Sequence, residues 1–204
     1  MKKNILTLLI ISILTFWYCS SESFSSELQE AYNWAYKNWI TTQPTIETAN
    51  MKWNITRAEM AKMISNYAKN ILWLKPDTSK SCYFLNSNID PTLVESVRES
   101  CQLWLMWQWI SDFRPNDSVT RAEFWTVLSR TLWWDKNEWW DTYYQNHLKA
   151  LKTEWIMNNI SSPMDKEIRW YVMLMLMRSW SDNTNNSSTN IDNQISDVLQ
   201  LLDD

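Results

Sequence analysis

Three arginines carry the clearest chemical signal in this chain. Arg57 and Arg121 stand inside the same tetrad, Thr56-Arg57-Ala58-Glu59 and Thr120-Arg121-Ala122-Glu123, and Arg169 opens a third, less complete copy. Thr-x-x-Glu ahead of an apolar run is a capping box. The Thr hydroxyl accepts from the N3 amide, and the Glu carboxylate reaches back to the N-cap amide. Capping accounts for Thr56, Glu59, Thr120 and Glu123 but does not require the Arg. A cation in the first helical turn opposes the macrodipole, so its recurrence there needs another cause. Two causes are open. The guanidinium bridges to an acidic neighbour, or it forms a fork for a ligand carboxylate at a helix N-terminus, where free amides already favour anions.

Helices must position these groups. After the first tetrad, Met60, Met63, Ile64 and Tyr67 follow at i, i+3, i+4, i+7, and Phe124, Val127, Leu128 and Thr131 repeat the register. Val172, Met175, Leu176 and, less well, Ser179 do so after Arg169. That spacing is one face of a helix. Each such helix is preceded by another helical stretch, at about Glu27–Asn38, Leu93–Leu103 and Tyr143–Glu154. A unit of helix, loop and capped helix cannot bury its apolar face alone, so the copies should pack together. The expectation is an all-α fold with Met60, Ile64, Phe124, Leu128, Val172 and Leu176 in one cluster. Met173 to Met177 reads as core.

The first helix of each unit ends at Trp39-Ile40, Trp104-Leu105 or Trp155-Ile156. Glycine belongs in that slot, because the residue after a helix end commonly takes the left-handed conformation. The chain has no glycine and sixteen tryptophans, where average usage gives about 14 glycines in a chain of this length. Count and position agree. Most of these tryptophans should stand for glycine, as they would if UGA codons that the host reads as glycine were translated as tryptophan. The competing reading is a tryptophan-rich binding protein. Sixteen indoles offered to solvent would be an aggregation liability. Trp133 and Trp34 are the best candidates for true tryptophan, Trp34 because glycine inside a helix costs about 1 kcal/mol.

The N-terminus reads as an export signal over 1–25. Met1-Lys2-Lys3 is a short positive region, and Ile5 to Tyr18 is an apolar run too short for a comfortable membrane span. Cleavage after Ser21 or Ser25 fits the small residues that follow, leaving no membrane span. A lipid anchor at Cys19, preceded by the bulky Tyr18, and an uncleaved anchor are the alternatives. Export opens two readings of Cys82 and Cys101: a disulfide, or two buried thiols. Net charge is −4 with 23 acidic and 19 basic residues, and no basic stripe points to nucleic acid. With a single histidine, His147, a His-built metal site or Ser-His-Asp triad is not expected, and no cofactor or metal is implied. Residues 181–204 read as a polar linker and a short amphipathic helix.

The segment CQLWLMWQWISDFRPNDSVTRAEFWTVLSR, Cys101 to Arg130, resembles an S-layer homology (SLH) repeat once glycine stands at Trp104, Trp107, Trp109 and Trp125. Phe113, Pro115 and the Val119-Thr-Arg-Ala-Glu run carry the likeness. The first repeat, 27–73, keeps NITRAEMAKMI but has a divergent loop. The second spans 82–135. The third, 141–180, is degenerate, with Ile168 and Tyr171 at the Thr and Glu positions, which puts its binding site in doubt. The resemblance implies a pseudo-threefold bundle of three helix-loop-helix repeats at the bacterial envelope. It also implies binding of an anionic cell-wall polysaccharide, often a pyruvyl-ketal sugar, in grooves between repeats, with Arg57, Arg121 and Arg169 as ligands. The expected function is non-catalytic anchoring of the protein or a partner, such as a surface-layer protein, at the cell surface. The alternatives are a structural role through protein–protein contacts and a wall-glycan hydrolase. The latter needs two positioned carboxylates. Asp112, Asp117, Glu123 and Asp135 are available, but their spacing follows loop and cap positions.

Overall fold

The computed structural model describes residues 24–82, 88–106, 112–134, 136–137 and 144–181. The part of the expected export signal before residue 24, Trp107, Trp109, Asp135 and the tail beyond 181 lie outside the described residues. The chain is all-α. Helices α1 (Ser26–Lys37), α2 (Arg57–Asn70), α3 (Val94–Gln102), α4 (Arg121–Trp133) and α5 (Gln145–Thr153) are followed by α6 at 169–181. Among the described residues there is no strand, only isolated bridges.

Local chemistry explains where these helices start. Thr56 and Thr120 sit at the N-caps of α2 and α4, and both capping boxes are complete. Ser25 caps α1 by accepting from the Leu28 amide. Helices α3 and α5 start without a side-chain cap, so packing rather than capping must hold their first turns. Met60, Ile64, Phe124, Leu128, Val172 and Leu176 all lie in one buried core cluster.

The helices exchange partners between units. α2 packs on α3, and α4 packs on α5. α6 returns to α1, where Arg178 bonds Glu27 and the Trp34 and Trp180 rings lie 6.1 Å apart. The capped helix of one unit therefore meets the first helix of the next. The loops ahead of α2, α4 and α6 close a cycle of backbone hydrogen bonds. Ile55 N donates to Glu167 O (3.0 Å), Val119 N to Ile55 O (3.0 Å) and Glu167 N to Val119 O (2.9 Å). A second cycle surrounds it: Arg57 N donates to Asp117 O, Arg121 N to Asp165 O, and Arg169 N to Trp53 O. Buried amides thus find acceptors on the neighbouring loop, as burial requires.

Cys82 and Cys101 are joined by a disulfide, tying the segment before α3 to its last turn. A cross-link over a separation of 19 residues is worth about 3 kcal/mol in the chain-entropy model.

Among the described residues eight have positive φ, and five of these are tryptophans: Trp39, Trp73, Trp104, Trp134 and Trp155. All five side chains are exposed. Trp39, Trp104 and Trp155 follow the ends of α1, α3 and α5, where the sequence placed glycine-like stops. Trp34 and Trp133 instead pack against the core.

Candidate functional site

Each arginine of the tetrad extends away from its own helix cap to the neighbouring loop. Arg57 is 6% exposed. Its Nε donates to Phe113 O (2.9 Å) and its Nη1 to Glu123 Oε1 (2.9 Å). Arg169 donates through Nη1 to Ala49 O (2.8 Å) and pairs through Nη2 with Glu59 Oε1. The cap glutamates therefore divide their oxygens. Oε2 of Glu59 and of Glu123 accepts from its own N-cap amide, while Oε1 takes the arginine of another unit. One carboxylate starts a helix and ties two units together.

Among the described residues Arg121 has no cap glutamate as partner. Tyr171 holds the position where a third cap glutamate would stand. Arg121 Nη1 donates to Ser161 O (2.9 Å) and Nη2 to Asn159 O (3.3 Å). Its Nε is buried and finds no acceptor among the described residues. The guanidinium lies 4.6 Å from the centre of the Trp125 ring, a cation–π contact. Beside it opens a groove of about 470 Å³, lined by Arg121, Asn158, Asn159, Lys166, Tyr171 and Arg178 among others.

The groove also contains Glu167, which the sequence reading passed over. Its counterparts in the backbone cycle, Ile55 and Val119, are apolar and buried, and Glu167 is only 1% exposed. Trp125 Nε1 donates to its Oε2 (3.0 Å) and the Ile168 amide to its Oε1 (3.1 Å). Burial pushes its carboxyl up to about 7, against the opposing pull of the Ile168 amide, Arg121 and Trp125. The signal was available: a charged residue interrupts the Ile55/Val119 register.

Glu167 sets a pH dependence of stability. Its folded pKa is raised, so the fold holds the proton more tightly than the open chain does. That contribution is full below about 4.5 and is lost as pH rises to about 7. A gap of this size is worth roughly 3 kcal/mol. Urea melts at pH 5 and pH 8 should show Glu167→Gln stabilising relative to the parent at pH 8 and much less so at pH 5. Equal differences at both pH values would contradict the assignment.

Other chemistry-bearing groups are absorbed by structure. Asp112 accepts from the Arg114 amide and Asp117 pairs with Arg114. His147 Nδ1 lies 2.9 Å from Ser129 Oγ. Both residues are fully buried, so this serine–histidine pair does not face solvent. Among the described residues no group of three or more His, Cys, Asp or Glu is placed to hold a metal ion, and no helix is long and apolar enough to cross a membrane. The chain matches no protein-family model and no curated protein.

Proposed function

We propose that this chain is an exported, non-catalytic envelope protein that binds anionic cell-wall polysaccharide and so holds itself or a partner at the cell surface. In this reading it carries three SLH repeats, at 27–73, 82–135 and 141–180, arranged as a pseudo-threefold bundle. Most of its tryptophans stand for glycine. The observation that carries the reading is the cyclic relation of the three loops. Equivalent amides and equivalent arginines reach from each loop to the next, and a groove opens beside one of these arginines, Arg121. The five positive-φ tryptophans support the glycine assignment, since side chains disfavour that region. Trp125 lies fully buried beside Arg121, and glycine there would widen the groove.

Ser25 bears on the export signal. Cleavage after Ser21 keeps the α1 cap, whereas cleavage after Ser25 removes a contact worth about 1 kcal/mol. The first site is therefore the one we propose.

The test uses protein with glycine at Trp39, Trp73, Trp104, Trp125, Trp134 and Trp155, mixed with purified walls from the source organism. Sedimentation with the walls, without release of soluble sugar, is the expected result. Sugar release would replace this reading by the hydrolase. Failure to sediment would sink wall binding. Genomic UGG codons at the tryptophan positions would overturn the glycine assignment.

A further inference from the structure

We infer that Glu167 is the internal counter-ion of Arg121 and a proton-controlled stop on it: with glycine at position 125 its carboxylate takes the guanidinium, and protonation releases it. The inference rests on the glycine and envelope-binding readings and adds regulation to them. Two of the three tetrad arginines hold cap glutamates, Arg57 that of Glu123 and Arg169 that of Glu59. Repeat three has Tyr171 where the cap glutamate for Arg121 belongs. The same repeat carries a carboxylate four residues earlier, at Glu167, where the other two loops have Ile55 and Val119. One repeat thus loses a glutamate and gains another within the same short segment. Packing does not explain the gain. An apolar residue serves at both equivalent places, and burying a carboxyl is costlier than burying either.

The Trp125 indole meets both groups. Its ring centre lies 4.6 Å from the Arg121 guanidinium carbon, and its Nε1 donates to Glu167 Oε2 at 3.0 Å. Arg121 Nε is buried and finds no acceptor among the described residues. Glycine at 125 removes the ring and its N–H together. A carboxylate oxygen without a donor and a guanidinium N–H without an acceptor then border the space the ring filled. Buried groups left unmet are costly, and one guanidinium–carboxylate bond meets both. Oε1 keeps the Ile168 amide at 3.1 Å, which holds the side chain in place. The other titratable groups of the groove are engaged or exposed. Glu27 of α1 pairs with Arg178 of α6, Lys166 Nζ donates to Ser118 O, and Asp165 and Tyr171 are open to solvent. Burial already raises the Glu167 carboxyl to about 7 against the pull of Arg121. With the pair formed its pKa falls from there, because an opposite charge favours the ionised form. Above that pKa Arg121 is held, and below it Arg121 is free for an outside carboxylate. Wall binding should therefore tighten toward acid pH, since ligand and proton favour the same open state.

The full chain with glycine at Trp39, Trp73, Trp104, Trp125, Trp134 and Trp155 tests the pair first. Carbon-13 NMR of labelled glutamate side chains should find Glu167 titrating roughly one to three pH units lower than in the parent. Arg121→Ala should raise it again. At pH 8 a double-mutant cycle of Arg121→Ala and Glu167→Gln should return a coupling of roughly tenfold or more in the unfolding constant. Glu167→Gln, expected to stabilise the tryptophan-bearing parent at pH 8, should destabilise the glycine form, because the carboxylate has gained a partner. Tyr171→Glu supplies the ordinary cap glutamate and should cancel the coupling. Trp125→Ala in the parent opens the same space with less loss of helix propensity, and it carries the same measurements should the glycine form not fold. Stabilisation by Glu167→Gln at pH 8 in the opened protein, or a Glu167 titration indifferent to Arg121→Ala, overturns the proposal. Co-sedimentation with walls at pH 5 and pH 8 reads the consequence. The glycine form should bind roughly tenfold more tightly at pH 5, and Glu167→Gln should bind tightly at both. A pH dependence that persists in Glu167→Gln overturns the switch while wall binding stands. If the coupling is found but no variant sediments at either pH, the envelope-binding reading falls and the counter-ion assignment stands.

Discussion

Replacing Trp39, Trp73, Trp104, Trp134 and Trp155 together with glycine should raise the stability of this protein by about 5 kcal/mol. Their φ values run from 56° to 62°, and a side chain in the left-handed region costs about 1–2 kcal/mol. Glycine removes that cost and returns part of the gain as lost chain entropy. The indoles contribute little in exchange, since their exposures run from 46% to 81%. Trp134 should yield most. Its φ of 58° is combined with ψ of −128°, outside the left-handed helical well that side chains tolerate. Trp104 should yield least, because its ring lies against the Lys80 ammonium at 3.1 Å. The sites are dispersed at separate loop ends, so their effects should add. The opposite is expected inside the packing. Trp34→Gly should cost about 2–4 kcal/mol, from helix propensity and from the lost contacts with Tyr67 and Trp180. Urea denaturation of the single and combined variants measures both signs. A combined variant no more stable than the parent would show that the indoles stabilise those turns.

Arg57→Ala should lower stability by about 3 kcal/mol, whereas Arg121→Ala should cost about 1 kcal/mol. Arg57 sits almost wholly inside, with Glu123 and Phe113 O as partners. Removing one member of a buried pair strands the other, at a cost of about 3–5 kcal/mol. The low end applies because the Glu123 side chain keeps 30% exposure. Arg57→Lys should recover only part, since an ammonium cannot reach a carbonyl and a carboxylate in the same planar geometry. Arg121 bonds only to carbonyls in exposed surroundings, so less is stranded. A double-mutant cycle on Arg57 and Glu123 should return a coupling above about 1 kcal/mol. Equal losses for Arg57→Ala and Arg121→Ala would mean that the two arginines play the same part, and the distinction between brace and ligand group would fail.

Much of the helical framework was legible in the residues themselves. Thr56 and Thr120 with their glutamates fix where α2 and α4 begin, because a capping box is a contact across three residues. The spacing of Met60, Ile64, Phe124 and Leu128 shows which face turns inward, because helical periodicity is equally local. Trp39, Trp104 and Trp155 mark chain reversals for the same reason, and each takes positive φ. What the motif could not show is who pairs with whom. Arg57 and Glu59 are two residues apart in sequence, yet Arg57 pairs with Glu123 while Glu59 takes Arg169. The glutamate missing at Tyr171 is a defect of the third tetrad in the sequence. In the fold, the tetrad arginine that forms no ion pair among the described residues is Arg121 of the second. Glu167 breaks the apolar register of Ile55 and Val119 in the sequence, but its burial is decided only when ring closure places it with them in the backbone cycle. Caps and periodicity are decided within one or two turns of chain. Pairing across units, burial of a carboxyl and the choice of open groove depend on how three loops meet, and only the closed tertiary structure decides that.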